Sequence, residues 1–336
     1  MSDRSDVTFL PFRPARGLGS RHVQTIAGKL LRPAPAPPLW RERVDTPDGD
    51  FLDLDFAFDP ASGDDDDAPV VVLHGLEGTA RRRYMLHTYR ALLARGLRPV
   101  GLNFRGCSGE PNRTARAYHS GETDDLRFVL DTLRARYPVP FAVVGYSLGG
   151  NVALKFLGEE AAAGRVAAGA AVSVPFDLAA GARALEASWI GRAVYTRYFL
   201  RTLRPKTVAR ADLLRDRIDL DAVRRARTLR EFDDALTAPL HGFRDAADYY
   251  ARSSSARFVP AIRVPTLVVH SRDDPFLPAS AIPEAAFAAN PFITAVLTDR
   301  GGHQGYVAGS LARPRFWPEG AAAGWLARTL AGSRPR

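Results

Sequence analysis

The chain is short of several things whose scarcity excludes whole classes of protein. It has one cysteine, Cys107, in 336 residues, so no intramolecular disulfide can form and the composition fits a reducing compartment. Lysine is nearly absent: Lys29, Lys155 and Lys206 are the three in a chain with 46 basic residues. No uninterrupted apolar run approaches the ~18 residues that a membrane-spanning helix needs. The opening Met1-Ser2-Asp3-Arg4-Ser5-Asp6 carries both signs of charge and no apolar stretch, which argues against a secretory signal and for a cytoplasmic protein. No His, Cys or carboxylate cluster has metal-ligand spacing, and neither a phosphate loop nor a dinucleotide fingerprint occurs, so no metal and no cofactor is expected.

What the chain has in excess is arginine. The net charge is +9 and the isoelectric point about 10.0. The basic residues are scattered, with small clusters at Arg81-Arg82-Arg83 and Arg224-Arg225 and no aromatic-interleaved stripe. That pattern reads as a solvated arginine-rich surface and excludes a nucleic-acid partner. Anionic substrates, or peripheral contact with an anionic lipid surface, stay compatible with it.

Residues 1–40 read as an irregular leader, in which His22-Val23-Gln24-Thr25-Ile26 begins a short helix and Pro33 to Pro38 form an extended connector. Two antiparallel strands over 41–46 and 51–58 follow, joined by Pro47-Asp48-Gly49, and the alternation of Phe51, Asp53 and their neighbours predicts one buried face. Gly63 and Asp64–Asp67 read as a solvated loop. From Val70 strands and helices alternate: strands over 70–73, 99–104, 141–144 and 166–174, helices over 85–95 and 121–137. Such alternation means a mostly parallel sheet with helices on both faces and ligands beyond the carboxyl ends of the strands. The alternation lapses over 177–260, a helical stretch rich in arginine and aromatics. We read it as a cap inserted between the two parts of the core, 41–176 and 261–336. Strands over 266–270 and 294–297 and a helix over 320–330 complete the core.

The chemistry concentrates at Gly145-Tyr146-Ser147-Leu148-Gly149, a Gly-x-Ser-x-Gly corner between an apolar strand and a helix. A serine on that turn stands above the sheet, and the next N–H opens a helix and faces outward. Serine becomes nucleophilic only when a base takes its proton and an acid orients the base, in the chain order nucleophile, acid, histidine. Asp273-Asp274 follows the 266–270 strand and Gly301-Gly302-His303 follows the last one. His303 is therefore the expected base. Asp274 is preferred over Asp273 for the acid, because an aspartate four residues before a proline, here Pro278, is the usual arrangement of this fold. Asp273 would cap locally, and Asp299, on the strand of the histidine itself, is the third candidate. The other histidines, among them His22, His87, His119, His241 and His270, read as structural or surface residues. His74-Gly75-Leu76 ends its strand where an oxyanion hole is needed. The expected donors are the backbone N–H groups of Leu76 and Leu148, with His74 in a structural role.

With these residues in view, the chain resembles the YheT-like branch of the α/β-hydrolases over nearly its whole length. The resemblance rests on His22–Ile26, His74-Gly75-Leu76-Glu77-Gly78, Asn103–Asn112, Tyr118–Thr123, the elbow, Thr237–Phe243, Asp273-Asp274-Pro275-Phe276 and Gly302-His303. It implies an α/β-hydrolase fold with a helical cap insertion and a Ser147–Asp274–His303 relay. It also implies hydrolysis of short- to medium-chain carboxylic esters, and it gives the leader motif and the Asn103–Asn112 loop no role. The membrane anchor of some eukaryotic relatives has no counterpart, which favours a soluble enzyme acting on a small acyl ester. The rivals are a thioesterase or alcohol acyltransferase with the same triad and, from another class, a catalytically silent lipid-binding module. Dehalogenase and epoxide-hydrolase chemistry would need an aspartate at position 147.

Overall fold

A strand buried on both faces must be apolar at every position, and Pro69–Leu73, Phe141–Tyr146 and Thr266–Ser271 come close to that rule. In the computed structural model, which describes residues 11–33, 36–62, 69–160 and 163–333, they are central strands of an eight-stranded sheet. The strands are β1 (Trp40–Asp45), β2 (Phe51–Phe56), β3 (Pro69–Leu73), β4 (Arg98–Asn103), β5 (Phe141–Tyr146), β6 (Val166–Val172), β7 (Thr266–Ser271) and β8 (Ile293–Thr298). Their order is β1-β2-β4-β3-β5-β6-β7-β8. β2 runs antiparallel to β1 and β4, and every other pairing is parallel.

Alternate residues of each strand feed opposite cores. Val71, Leu73 and Val143 pack against α3 (Asp124–Arg134) and α4 (Leu148–Glu160), which follow α1 (Arg21–Leu30) and α2 (Arg83–Leu93) in the chain. Val70, Val72 and Val144 pack on the other face against α2 and the closing helix Trp317–Ser333. The apolar spacing of Leu126, Val129, Leu130 and Leu133 gives α3 its one buried stripe. Between β6 and β7 the described elements are all helical. They begin with α5 (Leu178–Ala187) and a π-helical turn, Gly191–Thr196, that runs straight into α6 (Arg197–Val208). Shorter helices follow and enclose small cores of their own around Leu200, Phe232 and Tyr249.

Two expectations change. β2 is buried along its whole length, not on one face. Asp53 and Asp55 lie directly across from Arg43 and Arg41 in the β1–β2 register, and each arginine forms an ion pair with its opposite aspartate at 2.8 and 2.7 Å. Arg81 adds a second cation to Asp55 at 2.7 Å. The guanidinium groups cover the carboxylates, so alternation in the sequence understates burial. Two short strands, β9 (Val307–Gly309) and β10 (Pro314–Phe316), also pair where no strand was expected. The expected aspartate loop at 64–67 and the first six residues lie outside the described residues.

The Asn103–Asn112 loop acquires a physical role. Arg105, its side chain 1% exposed, binds both oxygens of Asp125 at 2.7 and 2.8 Å and reaches Asp48 and Asp50 of the hairpin turn. Asn112, the Thr114 hydroxyl and the backbone N–H of Arg113 also donate to Asp50, at 2.8, 2.9 and 3.0 Å. One buried cation thus joins α3, the loop and the β1–β2 turn. Removing one partner of such a cluster strands charge in a low dielectric. Arg105→Ala is expected to lower unfolding free energy by about 3–5 kcal/mol in urea titrations, while Arg113→Ala, truncating an exposed side chain, changes it by less than about 1 kcal/mol.

Candidate active site

The corner after β5 permits no bulk. A Cβ on Gly145 would lie 2.2 Å from the Gly149 oxygen, and one on Gly149 would lie 2.6 Å from the carbonyl oxygens of Leu73 and His74. Glycine at both places lets α4 start directly above β3 and β5. Ser147 takes φ +52°, a left-handed conformation costly for a side-chain-bearing residue. Its N–H is held by the Val172 oxygen and its own carbonyl accepts the Asn151 N–H, at 2.9 and 3.0 Å. The strain is fixed from both sides, and the hydroxyl projects over the carboxyl ends of the strands.

Ser147, Asp274 and His303 come together there. Ser147 Oγ lies 2.9 Å from His303 Nε2, and His303 Nδ1 lies 2.8 Å from Asp274 Oδ2. The partners assign the tautomer: Nδ1–H donates to the carboxylate and Nε2 is left to accept from the serine. Asp274 is buried and also accepts the Phe276 N–H at 2.8 Å. Burial alone would push its carboxyl up, but electrostatic attraction to the His303 ring and the hydrogen bond from it hold it below its ordinary value. Asp273 instead accepts the Gly302 N–H at 2.9 Å, capping the histidine turn. Asp299 makes no hydrogen bond to His303 among the described residues. His270, beside the relay with Nε2 4.0 Å from Asp274, is fully buried, and burial lowers it to about 4, so it stays neutral.

Leu76 and Leu148, whose backbone N–H groups were chosen from the sequence, line the same cavity as Ser147 and His303. His74 anchors the first of them. Its Nε2 accepts the Phe104 N–H at 3.2 Å and its Nδ1 donates to the Gly75 oxygen at 2.8 Å, while burial lowers it to about 4. Glu77, at φ +53°, accepts from Lys206 of α6 at 3.1 Å and from the Tyr118 hydroxyl at 2.9 Å. The helical segment is thereby tied to the loop that carries Leu76.

The cavity measures about 180 Å³ and is walled by Leu76, Leu148, Leu178, Leu185, Phe199 and Leu203. Asp233 also reaches it. Burial pushes its carboxyl up to about 6 against hydrogen bonds from Thr237 and Tyr250 that favour the charge. A raised carboxyl pKa means the folded state holds the proton more tightly than the unfolded one. Its contribution therefore falls as pH rises from about 4 through about 6. Asp233→Asn is expected to flatten that part of the stability–pH curve in denaturant titrations.

Sequence reasoning missed the residues that hold the histidine loop. Thr25 Oγ1 of α1 accepts the His303 N–H at 2.9 Å, and Gln24 grips both the N–H and the oxygen of Val307, at 2.7 and 3.2 Å. A Cβ on Gly302 would meet Thr25 Oγ1 at 2.6 Å, so loop and helix touch through backbone. Phe276 stacks on the His303 ring with centroids 4.0 Å apart. The leader motif was the available signal, since it has no other partner in the sequence. Losing the Thr25 acceptor frees the loop, and displacements of an ångström cost about 100-fold. Thr25→Val is expected to lower kcat about 10- to 100-fold with little change in KM, and Thr25→Ser to restore it, in steady-state assays on a p-nitrophenyl ester.

A strained serine between a parallel strand and a helix, with a histidine–aspartate pair supplied after β7 and β8, defines a class. The chain belongs to the α/β-hydrolases: the model of the alpha/beta hydrolase fold matches residues 68–307. Within that family it falls in the YheT-like branch. It is 38% identical to YheT of Escherichia coli K12 over 95% of this chain and 94% of that protein. It is 32% identical to Phospholipase ABHD3 of Mus musculus over 95% of this chain and 77% of the mouse protein. The solved esterase Pf2001 of Pyrococcus furiosus superimposes with a TM-score of 0.58 at 15% identity, covering 97% of this chain and 98% of that one. The chain is an ester hydrolase. Among the described residues no helix is long and apolar enough to cross a membrane, and no group of three or more His, Cys, Asp or Glu could hold a metal.

Proposed function

We propose that the protein cleaves carboxylic esters of short to medium acyl chains through an acyl-enzyme on Ser147. The observation that carries the reading is the continuous relay from Asp274 through His303 to a serine held at positive φ. His303 takes the Ser147 proton as Oγ attacks the ester carbonyl. Asp274 fixes the tautomer and balances the imidazolium, and the Leu76 and Leu148 N–H groups receive the oxyanion. His303 then returns the proton to the departing alcohol. Water, activated by the same imidazole, releases the acid and regenerates the serine.

The apolar walls and modest volume of the cavity favour a short to medium acyl chain. The residues between β6 and β7 act as its cap. Turnover across a p-nitrophenyl ester series is expected to peak at such lengths and fall for long chains.

Ser147→Ala is expected to lose turnover by a factor on the order of 10⁵ and to escape labelling by a fluorophosphonate. Wild-type turnover in that variant would remove Ser147 from the mechanism. Ser147→Gly is expected to be equally inactive yet about 1 kcal/mol more stable, because glycine takes the same backbone without strain. Denaturant titration of both variants separates loss of chemistry from loss of fold.

A further inference from the structure

Exposed apolar surface is unevenly spread over the molecule. Of the ten large hydrophobic side chains exposed among the described residues, seven belong to α1, the residue after it, and the stretch 189–198. They include Val23, Ile26 and Leu30 at helical spacing, with Leu30 64% and Trp189 71% exposed. The two elements lie side by side: His22 Nδ1 is 3.0 Å from the Tyr195 hydroxyl, and Lys29 Nζ stands 3.8 Å above the Tyr198 ring. Neither 21–31 nor 189–208 contains an aspartate or glutamate. Both expose cations, namely Arg21, Lys29, Arg192, Arg197 and Arg201. Arginines elsewhere are matched to carboxylates, as Arg41 and Arg43 of β1 are to Asp55 and Asp53 of β2. Among the described residues Arg21, Arg197 and Arg201 are matched to none.

We propose that this face, α1 with the outward side of the helix from Trp189 to Arg201, docks on an anionic lipid bilayer. Apolar side chains beside cations that, among the described residues, lack a carboxylate partner fit a surface that offers hydrocarbon below a layer of phosphate. A two-fold contact with a second copy of the chain would instead set arginine against arginine. The placement also suits delivery of an apolar substrate. α6 turns Phe199 and Leu203 into the cavity while Arg197 and Tyr198 face out, and Tyr195 packs against Phe276, which stacks on His303. The proposal goes beyond the assigned chemistry and does not depend on it, since Ser147→Ala would bind like the wild type.

The test is co-sedimentation of the full chain with vesicles of phosphatidylcholine alone or mixed with phosphatidylglycerol, at low and high salt, alongside turnover of a water-soluble p-nitrophenyl ester. The wild type is expected to sediment with the mixed vesicles at low salt and to be released by high salt. Arg197→Glu/Arg201→Glu and Leu30→Asp/Trp189→Ser are each expected to weaken partitioning at least about tenfold with soluble-ester turnover unchanged. Three results would overturn the proposal. One is a wild type that stays in the supernatant with anionic vesicles at low salt. Another is binding that survives both double variants. The third is a concentration-dependent dimer, seen by light scattering and abolished by Leu30→Asp, which would assign the face to self-association.

Discussion

Everything at the candidate site depends on how closely α4 approaches the ends of β3 and β5. Side chains at 145 or 149 would hold the helix off by more than the space available, and the Ser147 turn would relax into an ordinary connection. With glycine in both places, the hydrogen bonds on either side of Ser147 outweigh the left-handed backbone, and one hydroxyl is committed to one direction. His303 and Asp274 then need only be brought to a fixed point. The sheet order does that, because β7 and β8 end beside the same corner.

Rigidity at the corner has to be matched by rigidity of the loops that meet it. Three means of fastening do so, each drawn from a different part of the chain. Asp273 caps the histidine turn, α1 grips that turn through Gln24 and Thr25, and Lys206 ties the helical segment to Glu77 beside the Leu76 N–H. Farther out, Arg105 gathers three aspartates from elements separated in sequence and anchors the loop after β4. Buried ionic clusters of this kind add little net stability relative to apolar packing, but they penalise every arrangement that leaves a charge alone.

The core was legible because burial leaves a periodic trace. The unbroken apolar runs at 70–73, 141–144 and 266–270 and the stripe of α3 are direct consequences of packing. The meeting of Ser147 and His303 was legible because the fold sets both at strand ends in a fixed order. What escaped has a common cause. The contacts of Thr25 and Gln24 are hydrogen bonds to backbone, which leave no complementary residue in the sequence to find. Asp53 and Asp55 looked exposed because polarity was read strand by strand, whereas their covering arginines come from β1 and from the loop before α2. Stacking of Phe276 on His303 likewise depends on a meeting of two loops that no local pattern encodes.

The hydrogen bond between Thr25 and the His303 N–H spans 278 positions of the chain. Synthesis runs from Thr25 towards His303, so α1 emerges long before its partner loop. A growing chain can pair most of its strands and even form the Ser147 corner while the histidine is still unmade, and α1 has nothing to hold until then. Assembly of the site thus comes later than formation of the Ser147 corner.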